Sequence, residues 1–300
     1  MRFSKRSGKR KTQARLPATI SITDVEKIRR DPYEIYARKI LRLKALNPLD
    51  PEPDGRQRGT LLHKVLERFA RERVAADAES AGQHLRNIAT EEFRSLAHEP
   101  EAFQFWWSAF EAIADGFLAF DGKARAEGAR IYIETFANLP LALPQGEEVR
   151  VTGKADRIEI GVDGLASIID YKAGSLPRSV DVRQGLAPQL PLTAALLRRG
   201  GFAELPPVRG IRSVVYLPIG GSDLPIARSP FTADAALDEC AEEAWRALEA
   251  DLEALATGQV GYRSQLAPAK KSMAGDFDHL ARVAEWSLAS SDEGNEESEA

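Results

Sequence analysis

The spacing of apolar side chains divides the chain into a helical first part and an alternating second part. Leu62, Leu66 and Phe69 recur at i, i+4 and i+7 with Val65 beside them, the period of an amphipathic helix that begins near Arg58. Two more helical patterns follow, near residues 80–97 and 101–127. The second carries Phe103, Trp106, Trp107, Phe110, Ile113, Phe117 and Phe120. An aromatic stripe at helical spacing reads as core, not as a ligand platform. Upstream, a short helix is predicted from Ile22 to about Arg30, with Thr23 and Glu26 as its capping box. Asp31-Pro32 breaks it. A second helix is predicted over about 33–43, and residues 47–55 form a turn-rich loop.

Past Gly128 the period shortens. Residues 130–141, 149–160 and 166–172 read as three strands, with GVDG at 161–164 as the turn between the last two. A helix around 184–199 with Pro191 in its first turn, a strand at 211–219 and a helix at about 233–255 complete the pattern. That order is an α/β sheet flanked by helices, preceded by a helical region. One domain over residues 19–288 is expected, with a helical region at 58–127 and an α/β core at 128–260.

Composition narrows the function classes. The chain is 43% hydrophobic and 29% charged, enough apolar matter for a sizeable core. No apolar run approaches the roughly 20 residues of a membrane span. The basic start has no apolar stretch behind it, so it is not a secretory signal. The single cysteine, Cys240, excludes an internal disulfide and a multi-cysteine zinc or iron–sulfur site. A reducing cytoplasm fits. The net charge of −4 argues weakly against wholesale nucleic-acid binding, but the charge is uneven. Residues 1–18 are expected to be a disordered basic leader, either touching phosphates or merely solvated, and 289–300 a disordered acidic tail. No GxxxxGK[ST] loop is present, so no ATP site is expected in the chain.

The chemistry concentrates in GKADRIEI and ASIIDYKAG. Asp170 and Lys172 are two apart on a strand and so share a face. Hairpin pairing brings Asp156 beside them. Two carboxylates and a backbone carbonyl make a hard oxygen site suited to Mg²⁺ or Mn²⁺. Such an ion neutralises a scissile phosphate and acidifies a bound water, and a neighbouring lysine can orient that water. A lone D-x-K is more often a salt bridge at a strand end. Here a second acid on the preceding strand reverses that preference.

The pattern resembles the RecB-type branch of the PD-(D/E)XK nucleases. That branch carries G-x-x-x-H on a helix, Asp on the second core strand, D-x-K on the third, and Q-x-x-x-Y on the next helix. Gly59 to His63, Gly153 to Asp156, Asp170-Tyr171-Lys172 and Gln189 match in that order over about residues 58–200. More narrowly, the chain is similar to the C-terminal nuclease domains of the AddB family, in its alphaproteobacterial form. Departures are Thr193 where the family usually has Tyr, no set of cysteines for an iron–sulfur cluster, and no helicase-like portion.

The resemblance implies a PD-(D/E)XK core, a Mg²⁺- or Mn²⁺-dependent deoxyribonuclease, and catalytic Asp156, Asp170 and Lys172. It implies metal ligation by His63, Asp156, Asp170 and the Tyr171 carbonyl. The implied substrate is single-stranded DNA ends in double-strand break repair, with an AddA-type helicase–nuclease subunit as partner and no membrane. Glu67, one turn from His63, is either a carboxylate orienting it or a solvated acid. Gln189 reads as a phosphate or base contact or as a helix cap. Lys154 and Arg183 are candidate phosphate contacts or ordinary surface cations. Glu134 reads as a surface acid at a strand end rather than a metal-site acid. Two rivals stand beside the main reading: a stand-alone RecB-family exonuclease, and an inactive structural or DNA-binding module.

Overall fold

The computed structural model describes residues 16–45, 55–72, 78–96, 98–220, 226–264 and 275–282. The leader through residue 15, the loop over 47–54 and the acidic tail lie outside them.

A strand that the sequence pattern does not announce opens the fold: β1, Thr19–Ser21. It runs directly into α1, Ile22–Arg30. The capping box is Ser21 with Asp24, not Thr23 with Glu26: Ser21 Oγ accepts from Asp24 N at 3.1 Å and Asp24 Oδ2 accepts from Ser21 N at 2.9 Å. α2, Pro32–Ile35, passes into a π-helical turn, Tyr36–Ile40. Then come α3 (Gly55–Glu72), α4 (Ala78–Glu92, with a 3₁₀ turn at Phe93–Leu96) and α5 (Pro100–Ala126).

The sheet follows with β2 (Arg130–Ala142), β3 (Glu148–Ile160) and β4 (Leu165–Lys172). A short α6 (Ser179–Arg183) precedes the helix expected over 184–199, which is α7 (Gln189–Arg198). β5 (Gly210–Pro218) and α8 (Leu237–Ala256) complete the order. The result is the expected mixed α/β sheet flanked by helices.

β3 is the organising strand. It pairs antiparallel with β2 along almost its whole length. On its other side it meets two strands in turn: β4 antiparallel at Arg157–Ile160 and β1 parallel at Arg150 to Thr152. Residues 153–156 therefore face a gap between β4 and β1. β5 lies parallel to β4 on the far edge.

Each face of the sheet has its own core. α1, α7 and α8 cover one, packing Val25, Leu192, Leu196, Leu248 and Leu252 on Val151, Ile158 and Ile168. α3, α4 and α5 cover the other, packing Leu62, Leu66, Phe110 and Phe117 on Ile169, Tyr171 and Leu217. Each such side chain contributes about 1.5–3 kcal/mol by leaving water. The aromatic stripe of α5 is thus core, as its spacing predicts, and it packs on the sheet.

One polar tie locks α5 to β3. The Arg157 side chain is wholly buried, held by Asp121 at 2.8 Å and Glu159 at 2.7 Å, with its guanidinium 5.2 Å from the Phe120 ring centroid. Asp121 also takes Arg125 at 2.6 Å.

Candidate functional site

The gap in the sheet is where the predicted residues meet. Past Ile169 the β3–β4 ladder stops. Asp156 Oδ2 then accepts the Tyr171 backbone N–H at 2.8 Å, replacing the lost ladder bond. The alternation of both neighbouring strands also changes phase here. On β3 the core-facing positions run Ile160, Ile158, then Ala155 and Val151. On β2, Tyr132 faces that core, and so do Ala137 and Leu139. Between them Glu134 has φ 55°, the left-handed region, which costs a non-glycine residue about 1–3 kcal/mol. Irregularities of this kind re-aim side chains. Here they turn Glu134 and Asp156 toward α3.

α3 supplies the opposite wall. A Cβ on Gly59 would stand 2.9 Å from Ala173 Cβ, so glycine is what lets the helix approach the end of β4. One turn later His63 Nδ1 stands 3.8 Å from Asp156 Oδ2, and its ring meets the Tyr171 ring edge-on at 5.7 Å. A cleft of about 640 Å³ results, lined by His63, Glu67, Glu134, Lys154, Asp156 and the Ala173–Gly174 backbone among others.

Asp170 and Lys172 adjoin this cleft from inside the fork. Asp170 is 5% exposed. Its Oδ1 accepts from Gln189 Nε2 at 2.5 Å. Its Oδ2 is sealed from solvent without a hydrogen bond; the Lys172 ammonium lies 2.7 Å away as an ion pair. Lys172 Nζ also donates to Gln189 Oε1 at 3.1 Å and stands 5.8 Å from the Tyr216 ring centroid. Gln189 is therefore not a helix cap. It clamps the acid and the lysine to one another from the first turn of α7.

Burial dominates the electrostatics. It pushes the Asp170 carboxyl up to about 6, with Lys172 opposing and Asp156 adding to the rise. It also raises Asp156, against the Tyr171 N–H and Lys172. It lowers His63, keeping the imidazole neutral and available as a ligand, while the neighbouring Asp170 works the other way.

Among the described residues no three His, Cys, Asp or Glu side chains stand ready as a metal-ligand group. Lys172 and Gln189 occupy Asp170, and Tyr171 N–H occupies Asp156. The donor chemistry nonetheless fits a hard divalent cation. Two carboxylates, Asp170 buried and Asp156 partly exposed, stand near a neutral imidazole.

Other predicted residues fall out differently. Lys154 reaches the cleft, ion-paired with Glu134. Glu134 itself is mid-strand with a side chain only 8% exposed, so it is not the surface acid that the sequence suggests. An acid interrupting the apolar run IYI…F is the available signal. Glu67 faces the cleft, but its carboxylate pairs with Arg71 at 2.6 Å, not with His63. Arg183 is not brought here: it donates to the Pro230 carbonyl at 3.2 Å and borders a separate cavity beside α8. Thr193 is buried and donates to the Gln189 carbonyl at 2.8 Å within α7.

Residues 19–271 match the family profile of the PD-(D/E)XK nuclease superfamily. An uncharacterized protein of Rickettsia bellii is 31% identical over 186 residues, covering 62% of this chain and 22% of that protein. An ATP-dependent helicase/deoxyribonuclease subunit of Streptococcus mutans is 28% identical over 182 residues, covering 58% of this chain and 16% of that protein. The chain thus spans about a fifth of the length of these curated relatives. The crystal structure of SSO0001 aligns over 78% of each chain with a TM-score of 0.30 and 13% identity. No helix among the described residues is long and apolar enough to cross a membrane.

Proposed function

The chain belongs to the PD-(D/E)XK nuclease superfamily, and we propose that it is a Mg²⁺- or Mn²⁺-dependent deoxyribonuclease acting on single-stranded DNA ends. The carrying observation is the fork itself: Asp156, Asp170 and Lys172 gathered where β3 and β4 part, with His63 on the facing helix.

Asp156, Asp170, His63 and the Tyr171 carbonyl would hold the cation. Bound there, it supplies charge neutralisation for a scissile phosphate and a more acidic water. The protein's own residues do the rest. Gln189 fixes the Lys172 ammonium beside Asp170, so a water entering the fork meets a donor in a set place. Burial of Asp170 strengthens its charge interactions with Lys172 and Asp156. Hydrolysis adds the water oxygen to phosphorus and releases one strand oxygen, which takes up a proton.

Residues 19–288 act in this reading as one nuclease domain in the cytoplasm. The likeness to the S. mutans helicase/deoxyribonuclease chain supports work beside an AddA-type helicase subunit in double-strand break repair. The test is cleavage of end-labelled single-stranded DNA in Mg²⁺, Mn²⁺ and EDTA, with Asp170→Ala alongside. Metal-dependent cutting that the variant lacks is expected. Cutting that persists in EDTA or in the variant sinks the proposal.

A further inference from the structure

Among the described residues β2 is an outer strand whose one strand partner is β3. Along it, three surroundings succeed one another. Residues 131–133 border a recess of about 560 Å³ that also holds Arg71, Arg125 and Arg130. Glu134 enters the acidic cleft. Phe136, in register with Lys154, is 70% exposed, and the Lys154 ammonium lies 5.7 Å from its ring centroid. α3 follows the same line, with His63 and Glu67 on the cleft and Ala70 and Arg71 on the recess. Glu134 and Phe136 therefore lie on one face of β2, the face turned toward α3.

The recess and the aromatic differ in what they offer a strand. Arg125 is committed to Asp121 and Arg71 to Glu67. Arg130 is exposed, but it stands in register with core-facing Ile160 and so points away from α3. Phe136 keeps its ring in water, an unfavourable place for so much apolar surface. It sits two strand residues, roughly 7 Å, beyond Glu134. An exposed aromatic beside a cation is the usual platform for an unpaired base.

Resting on the nuclease reading of the cleft, we propose that β2 is a rail for a single DNA strand. Phe136 stacks a base of that strand beside the cut. Bases inside a duplex have no free face to offer Phe136, so the rail selects single strands. It also places an aromatic beside the cleft, where buried Thr193 offers none.

The test is fluorescence anisotropy of a labelled single-stranded oligonucleotide in EDTA, where nothing is cut. Phe136→Ala and Phe136→Leu are expected to weaken binding roughly tenfold, while Phe136→Trp binds as well as wild type. Leucine keeps the apolar bulk and loses the stacking face, so a purely structural role would spare it. The exposure of Phe136 leaves the core intact in each variant, which thermal melting checks. The rail is overturned if the wild type binds no single strand, if either the alanine or the leucine variant binds like wild type, or if blunt duplex shows the same dependence on Phe136. A parallel Mg²⁺ cleavage assay separates the two readings: a strand bound through Phe136 but left uncut refutes the nuclease and leaves the rail.

Discussion

Replacing Asp170 by Asn should make the metal-free protein more stable while removing its activity. The wild-type carboxylate is charged in a place that disfavours charge. Burial pushes it from an ordinary 3.8 up to about 6 even with the Lys172 ion pair working the other way. Two units at about 1.4 kcal/mol each make roughly 3 kcal/mol of lost stability at neutral pH. Asn can keep the Gln189 hydrogen bond at Oδ1 and carries no charge to bury. The sign follows from the raised folded-state value. The stability is whole below about pH 4, is lost as pH rises toward 6, and stays lost above. Urea denaturation in EDTA should therefore find Asp170→Asn more stable by about 1–3 kcal/mol near pH 7.5, with the gap closing toward pH 4. A variant less stable than wild type at pH 7.5, or a gap that ignores pH, refutes the account of Asp170 as a buried, under-compensated charge.

Gly59→Ala should keep the fold by circular dichroism but push α3 off Ala173 by overpacking, at about 1–3 kcal/mol, and cut nuclease activity more than it cuts stability; equal activity would dismiss the close-approach role. Gln189→Leu unclamps Lys172 from Asp170 and should lower kcat roughly 10- to 100-fold, read in steady-state cleavage. Asp121→Ala strips a partner from fully buried Arg157 and should cost about 3–5 kcal/mol in chemical denaturation, with the loss little changed by salt. Mg²⁺ at about a hundred times its Kd should raise stability by roughly 2.7 kcal/mol, and EDTA should reverse it; a melting temperature indifferent to Mg²⁺ contradicts a built metal site.

Much of this is legible in the chain because it rests on local pattern. The α5 stripe, the α3 face and the hairpin of β3 and β4 follow from apolar spacing alone. So does the nearness of Asp170 to Lys172. What escapes is non-local. β1 is three residues long and carries no periodicity of its own; only its parallel pairing with β3 makes it a strand. The phase change at Glu134 and Asp156 is invisible in composition, since alternation assigns a face only while the backbone stays regular, and the left-handed φ of Glu134 breaks it. Glu134 therefore reads as surface, and Arg183 reads as near the site because of a closeness in sequence that the turn into α6 undoes. Gln189 stands out as a residue of interest, but its two partners lie on another element.

The pairing of β1 carries a consequence for how the chain is made. Ile20 meets Val151, more than 130 positions later. A ribosome adding about 5–20 residues per second leaves the emerging segment without that partner for roughly 7 to 26 s. Ile22, Val25 and Ile28, all destined for burial, wait on α1 throughout that interval. A long apolar strand held open for so long would invite neighbouring chains to pair with it. Three residues ending in a serine that caps the next helix offer such a visitor almost nothing to grip, so the brevity that hides β1 from pattern reading also guards the nascent chain.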